Sequence, residues 1–166
     1  MEVKCQCGSV SFKTPTDAPI KLYHCHCTHC RRQSGSAYGT SAIFTSEALV
    51  PLSPELEEKM SVWSRPTGTE QSKATQGGTE EGGTEQGGTE ESEANQGGMM
   101  ECYFCKVCGN RVMHRARDSR GSERGTVSIK AGLVEGLKWE GGVHIHTSTA
   151  VVPVPEGAES WEEGPE

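Results

Sequence analysis

Polar and apolar side chains alternate most cleanly over Thr126-Val127-Ser128-Ile129-Lys130, and a period of two predicts a strand with one wet face. Short runs of the same kind, bounded by turn-forming residues, predict further strands at Val10 to Phe12, Ser41 to Phe44, Ser61 to Trp63, Glu101 to Phe104, Arg111 to His114 and Val143 to His146. Helical periodicity is scarce. Its best stretch is Pro54 to Met60, barely two turns, with Ser53 placed as an N-cap and proline at the first helical position. The pattern therefore predicts a mainly β fold with few or no long helices.

The alternation stops between Thr67 and Gly98. From Gln76 the chain reads QGGTE, EGGTE, QGGTE, ESEAN and QGG, a five-residue repeat that offers nothing to bury. Such sequence cannot recover its ordering entropy, so it predicts a disordered insertion, and five residues are too few for a solenoid unit. Lying between the Trp63 and Tyr103 strands, it would lengthen a hairpin tip, which costs only about 0.6 kcal/mol per doubling of loop length. The expected organisation is one domain over 1–150, interrupted at 67–98, with a C-terminal tail at 151–166.

The insertion also explains the charge. Its seven glutamates and one lysine account for −6 of the net −7, which leaves −1 for the rest. No basic patch of the size a nucleic-acid binder needs remains. The mean hydropathy is −0.59, and no stretch approaches the roughly 18 consecutive apolar residues of a membrane helix. Only 33% of the 166 residues are hydrophobic, so the expected core is small and in need of a staple.

Cysteine supplies that staple. Seven of eight cysteines fall in three clusters: Cys5-x-Cys7-Gly8, Cys25-x-Cys27-x-x-Cys30 and Cys105-x-x-Cys108-Gly109. A secreted disulfide framework would call for an apolar leader, whereas the sequence opens MEVKCQCG; the expectation is a reducing, cytoplasmic compartment with thiols kept for metal. Cys5, Cys7, Cys105 and Cys108 can close a tetrahedral zinc site, each pair followed by a glycine that allows a tight turn. Such a clamp closes a loop on the order of 100 residues, worth roughly 4.7 kcal/mol by the chain-entropy estimate. Cys102 shares the spacing of the last pair; it reads as a buried apolar residue, or as a further ligand.

Cys25, Cys27 and Cys30 form a three-thiolate set, whose fourth position is left to water, to a histidine or to an incoming thiol. A closed site using His24, His26 or His29 competes with an open one. Zinc promotes deprotonation of a thiol that it binds, so an open site suits chemistry that makes or breaks a carbon–sulfur bond. Arg31 and Ser34 could line a substrate pocket, the arginine by pairing with a carboxylate.

These motifs, with Val10-x-Phe12, Arg31-Arg32-x-Ser34-Gly35-Ser36-Ala37-Tyr38-Gly39-Thr40 and Phe104 before Cys105, resemble the family of glutathione-dependent formaldehyde-activating enzymes and centromere protein V. The ending HIHTSTAVVPVPEGAESWEEGPE resembles fungal members. The resemblance implies a small zinc-clamped β domain with two zinc ions: a structural one on Cys5, Cys7, Cys105 and Cys108, and a catalytic one on Cys25, Cys27 and Cys30. It implies a carbon–sulfur lyase that joins glutathione and formaldehyde as S-hydroxymethylglutathione, in detoxification or in tailoring a small molecule. His26 is the candidate for proton transfer. The alternative is a non-catalytic zinc module that binds a protein partner.

Overall fold

Phe44 and Ala42 have no exposed surface, while Ser41 and Ile43, which alternate with them, lie on the other side, so strand β4 (Gly39–Thr45) has two distinct faces. The computed structural model describes residues 1–67, 98–118, 120–122 and 124–164. Among these residues β4 lies in a seven-stranded sheet with β3 (Lys21–Cys25), β5 (Met60–Pro66), β6 (Met99–Cys105), β7 (Arg111–Arg117), β8 (Thr126–Lys130) and β9 (Val143–Ile145). The order is β5-β6-β7-β8-β4-β3-β9, antiparallel at every junction except β3 with β9. A separate antiparallel pair, β1 (Glu2–Lys4) and β2 (Ser11–Lys13), completes the mainly β architecture.

The core lies on one face of the large sheet. Leu22, Ala42, Phe44, Tyr103, Met113, Val127 and Ile129 cluster there with Val3 and Val10 of the small pair. Leu56 joins from helix α2 (Pro54–Lys59), where Ser53 Oγ accepts the Leu56 N–H at 3.3 Å and proline opens the first turn, as the sequence predicts.

The second face departs from expectation. The polar residues of Thr126–Lys130 were expected to be wet, yet Lys130 is only 9% exposed. Helix α1 (Thr28–Ser34) covers this side: the Cβ missing from Gly39 would lie 3.2 Å from Cys30 Cβ and 3.3 Å from Lys130 Nζ. None of α1's side chains is fully buried, so the helix has no apolar stripe by which a sequence could announce it. Strand β3 was also unexpected, its Lys-Leu-Tyr-His-Cys alternation being short and running into the cysteine cluster.

β5 and β6 pair in register from Met60 with Cys105 to Pro66 with Met99, and the Thr67 N–H donates to the Gly98 carbonyl at 2.7 Å. The two ends of the repeat thus meet as a hairpin requires. Residues 68–97, on which the expectation of disorder falls, lie outside the described residues. The tail folds back onto the sheet: Ser160 bridges His144, the Trp161 N–H donates to the His144 carbonyl at 2.8 Å, and the rings of Tyr23 and Trp161 stand 6.2 Å apart. No helix of the described residues is long and apolar enough to cross a membrane.

Candidate metal centres

The first centre is made by two matching turns. The Cys5 N–H donates to Val10 O at 3.1 Å and Gly8 N–H to Cys5 O at 2.9 Å; at the end of β6, Cys105 N–H donates to Asn110 O and Gly109 N–H to Cys105 O, both at 2.9 Å. Gly8 and Gly109 both sit at positive φ, 77° and 71°, where a side chain would be strained. Each turn presents its sulfurs inward. Sγ separations are 3.5 Å for Cys5–Cys7, 3.6 Å for Cys5–Cys105 and 3.7 Å for Cys7–Cys105.

Those distances fit a metal. A tetrahedron with zinc–thiolate arms of about 2.3 Å has edges of about 3.8 Å, whereas a disulfide needs about 2.04 Å. All eight cysteines are free, and the sulfurs of Cys5, Cys7, Cys105 and Cys108 lie within 4.8 Å of one another. Burial opposes ionisation of Cys105, but hydrogen bonds from the Ser9 hydroxyl and the Cys108 and Val107 amides outweigh it and bring its thiol down to about 6. The four thiols can hold a metal ion.

The second centre forms where β3 runs into α1. Cys25 ends the strand, Cys27 is the helix N-cap, and Cys30 lies in the first turn, its N–H donating to Cys27 Sγ at 3.4 Å. Here sulfur takes the place of the usual serine or aspartate oxygen, accepting the N–H that a helix start leaves without a partner. The three sulfurs lie within 4.8 Å of one another. Hydrogen bonds from the Cys25 and Cys30 thiols favour ionisation of Cys27, and Cys25, which donates, is pushed well above the ordinary thiol range. Thiols gathered this closely can exchange their protons for a cation.

No histidine joins them among the described residues. His26 is not grouped with the sulfurs and has no exposed surface; its Nε2 is hydrogen-bonded to His144 Nδ1 at 2.8 Å, with the rings stacked 5.1 Å apart. His24 shares a hydrogen bond of 3.0 Å between Nδ1 and Thr40 Oγ1, and Tyr38 packs against both histidines. His29 is exposed on α1. The closed arrangement of three cysteines and a histidine thus has no geometric support. Ser34 Oγ donates to the carbonyls of Cys30 at 2.8 Å and Tyr38 at 3.2 Å, which fixes the end of α1. Arg31 keeps a buried Nε with no hydrogen-bond partner, and its Nη2 reaches Thr28 Oγ1 at 3.4 Å. Cys102 belongs to neither sulfur group; it is fully buried on β6, opposite His114.

Two cations near the second centre were not anticipated. Lys130 Nζ is 3.5 Å from Ser41 Oγ, and burial pulls its amine below the ordinary lysine range while Cys30 pulls the other way. A bulge between Tyr103 and Phe104 sets Arg111 opposite Phe104, and its Nη1 donates to Gln33 Oε1 of α1 at 2.6 Å. Burial lowers the Arg111 pKa, opposed by Cys102 and Cys30. Lys130 occupies a polar position of an alternating strand, and only knowing that α1 covers that face would have marked it.

No curated protein matches the chain. Residues 1–76, which carry five of the seven clustered cysteines, match a family model, and over that span the chain is similar to the glutathione-dependent formaldehyde-activating enzyme family.

Proposed function

We propose that the protein is a zinc enzyme of the carbon–sulfur lyase type acting on a thiol, with glutathione or a glutathione adduct as substrate. The observation that carries this reading is the second centre: three thiols gathered at a helix start, with no fourth ligand among the described residues. Structural zinc sites close with four ligands, and catalytic ones keep a position open. A zinc ion there would favour the thiolate form of a substrate thiol at neutral pH and hold its sulfur in place.

The protein's residues do the rest. Cys25, Cys27 and Cys30 would hold the ion, and they are fixed by a strand end and a helix start rather than by mobile loops. In the family reaction the sulfur forms a bond to the carbonyl carbon of formaldehyde, the carbon–oxygen π bond breaks, and the thiol proton ends on oxygen. Arg31 has donor capacity for a substrate carboxylate, whereas the Ser34 hydroxyl is spent on α1 and contributes by shaping the helix end. His26, the candidate for proton transfer, is fully buried and paired with His144, through which a proton could pass. Cys5, Cys7, Cys105 and Cys108 would hold a second zinc ion and so join the small β pair to β6.

Cobalt substitution tests the reading. An open centre changes its absorption when glutathione is added, and Cys27→Ser abolishes both that change and turnover while the chain stays folded. Two cobalt spectra indifferent to thiols would overturn the enzyme reading in favour of a closed, non-catalytic zinc module.

A further inference from the structure

Three thiolates on a divalent ion carry one net negative charge, and a fourth anionic ligand makes it two. Two cations lie near the second centre: Lys130, whose nearness to Cys30 Gly39 makes possible by having no side chain, and Arg111, which reaches Gln33 of the same helix and feels the charge of Cys30. Among the described residues neither forms an ion pair with a carboxylate. Both sit between the sheet and α1, one bonded to Ser41 and the other to Gln33, each a neutral partner. Lys130 is buried and Arg111 partly so, and a cation drawn out of water without a counter-ion is costly, so their charge calls for an anion close by. The three cysteines alone do not balance it: with zinc bound they offset one cation and leave the other.

We infer that Lys130 and Arg111 are specificity-determining residues whose paired charge commits the open side of the second centre to ligands that bind as anions, a thiolate above all. With such a ligand the zinc, four thiolates and two cations sum to neutral. With water or another neutral ligand these groups keep a net positive charge. The inference rests on the open zinc site proposed above and adds what selects its occupant. It also gives the bulge in β7 a purpose, since that irregularity brings Arg111 beneath α1.

The experiment uses the full chain loaded with cobalt and three probes: 2-mercaptoethanol, charged only as its thiolate; thiocyanate, a permanent anion; and imidazole, a neutral donor. The expected result is that Lys130→Gln and Arg111→Gln each weaken the two anionic probes about tenfold or more, as loss of one nearby charge at intermediate dielectric implies, and leave imidazole within about twofold. Arg111→Lys restores most of the anion affinity. Equal losses for anions and imidazole, unchanged anion binding, or a loss confined to metal affinity would each overturn the inference while leaving an open site standing. A wild-type spectrum that no thiol alters would overturn the open site and the inference together. Where Lys130→Gln fails to fold, the arginine variants and the wild-type ranking of thiocyanate against imidazole decide.

Discussion

Replacing Gly39 by alanine tests how tightly the second centre is built. Gly39 begins β4, pairs with Cys25, and has a φ outside the left-handed region, so the strand itself tolerates alanine. The space does not. The added Cβ would lie 3.2 Å from Cys30 Cβ, 3.3 Å from Lys130 Nζ and 3.4 Å from the Cys30 carbonyl oxygen. Lysine can swing away at little cost, but Cys30 is fixed in a helix turn by its N–H bond to Cys27 Sγ and has to move by a few tenths of an ångström. Overpacking of this kind costs about 1–3 kcal/mol, against which the lower chain entropy of alanine returns about 0.4–1 kcal/mol. A net loss of about 1–2 kcal/mol follows, falling on the geometry that gathers the three sulfurs. Zinc release to a competing chelator, followed with the urea midpoint, reads it: one ion leaves as in wild type, the other at about tenfold lower chelator concentration, and the midpoint falls. Two ions released as in wild type with an unchanged or raised midpoint would show that Gly39 is an ordinary strand glycine and refute the reasoning.

Glu101 accepts hydrogen bonds from Arg115 Nε at 2.6 Å, Tyr103 OH at 2.9 Å and Arg117 Nε at 2.9 Å; burial opposes its ionisation, and these bonds overcome that and hold its pKa below the ordinary carboxylate range. Its stabilisation is therefore full above the unfolded carboxylate pKa of about 4.3 and is lost as pH falls through the lower folded value, so Glu101→Gln costs about 1–3 kcal/mol at pH 7. The gap between the two proteins in urea unfolding should narrow with acid; a gap independent of pH contradicts it. Replacing residues 68–97 by a two-residue turn should leave the fold intact and raise the thermal midpoint, because Thr67 and Gly98 already meet and thirty residues shrinking to two is about four doublings of loop length, or about 2 kcal/mol. A lower midpoint would show that the repeat itself supports the fold.

Most strands were legible because their side chains alternate against a single core, as Val127 and Ile129 do on β8. The cysteine grouping was legible from spacing, since turns closed by Gly8 and Gly109 are local events. The second face was not. Lys130 reads as a solvent position until α1 is known to lie over it, and α1 is invisible to periodicity because it buries no side chain and is capped by sulfur. Arg111 depends on a bulge, and a bulge follows from pairing across strands rather than from sequence within one. His26 was legible as a residue beside the cysteines but not as a partner of His144, a consequence of β3 pairing with β9 and bringing His144 to meet it.

A seven-residue helix is too short to hold itself together in water, and α1 buries no side chain to compensate. Its anchors are Cys27 and Cys30 at the start, the Gln33–Arg111 bond, and Ser34 and Gly35 at the end, so its first turn is tethered by sulfur. The helix is thus a folded readout of its own ligands. Oxidation or alkylation of those sulfurs is expected to loosen this one turn locally while the sheet stays folded, and amide exchange at residues 28–34 would register the occupancy of the centre without any substrate being present.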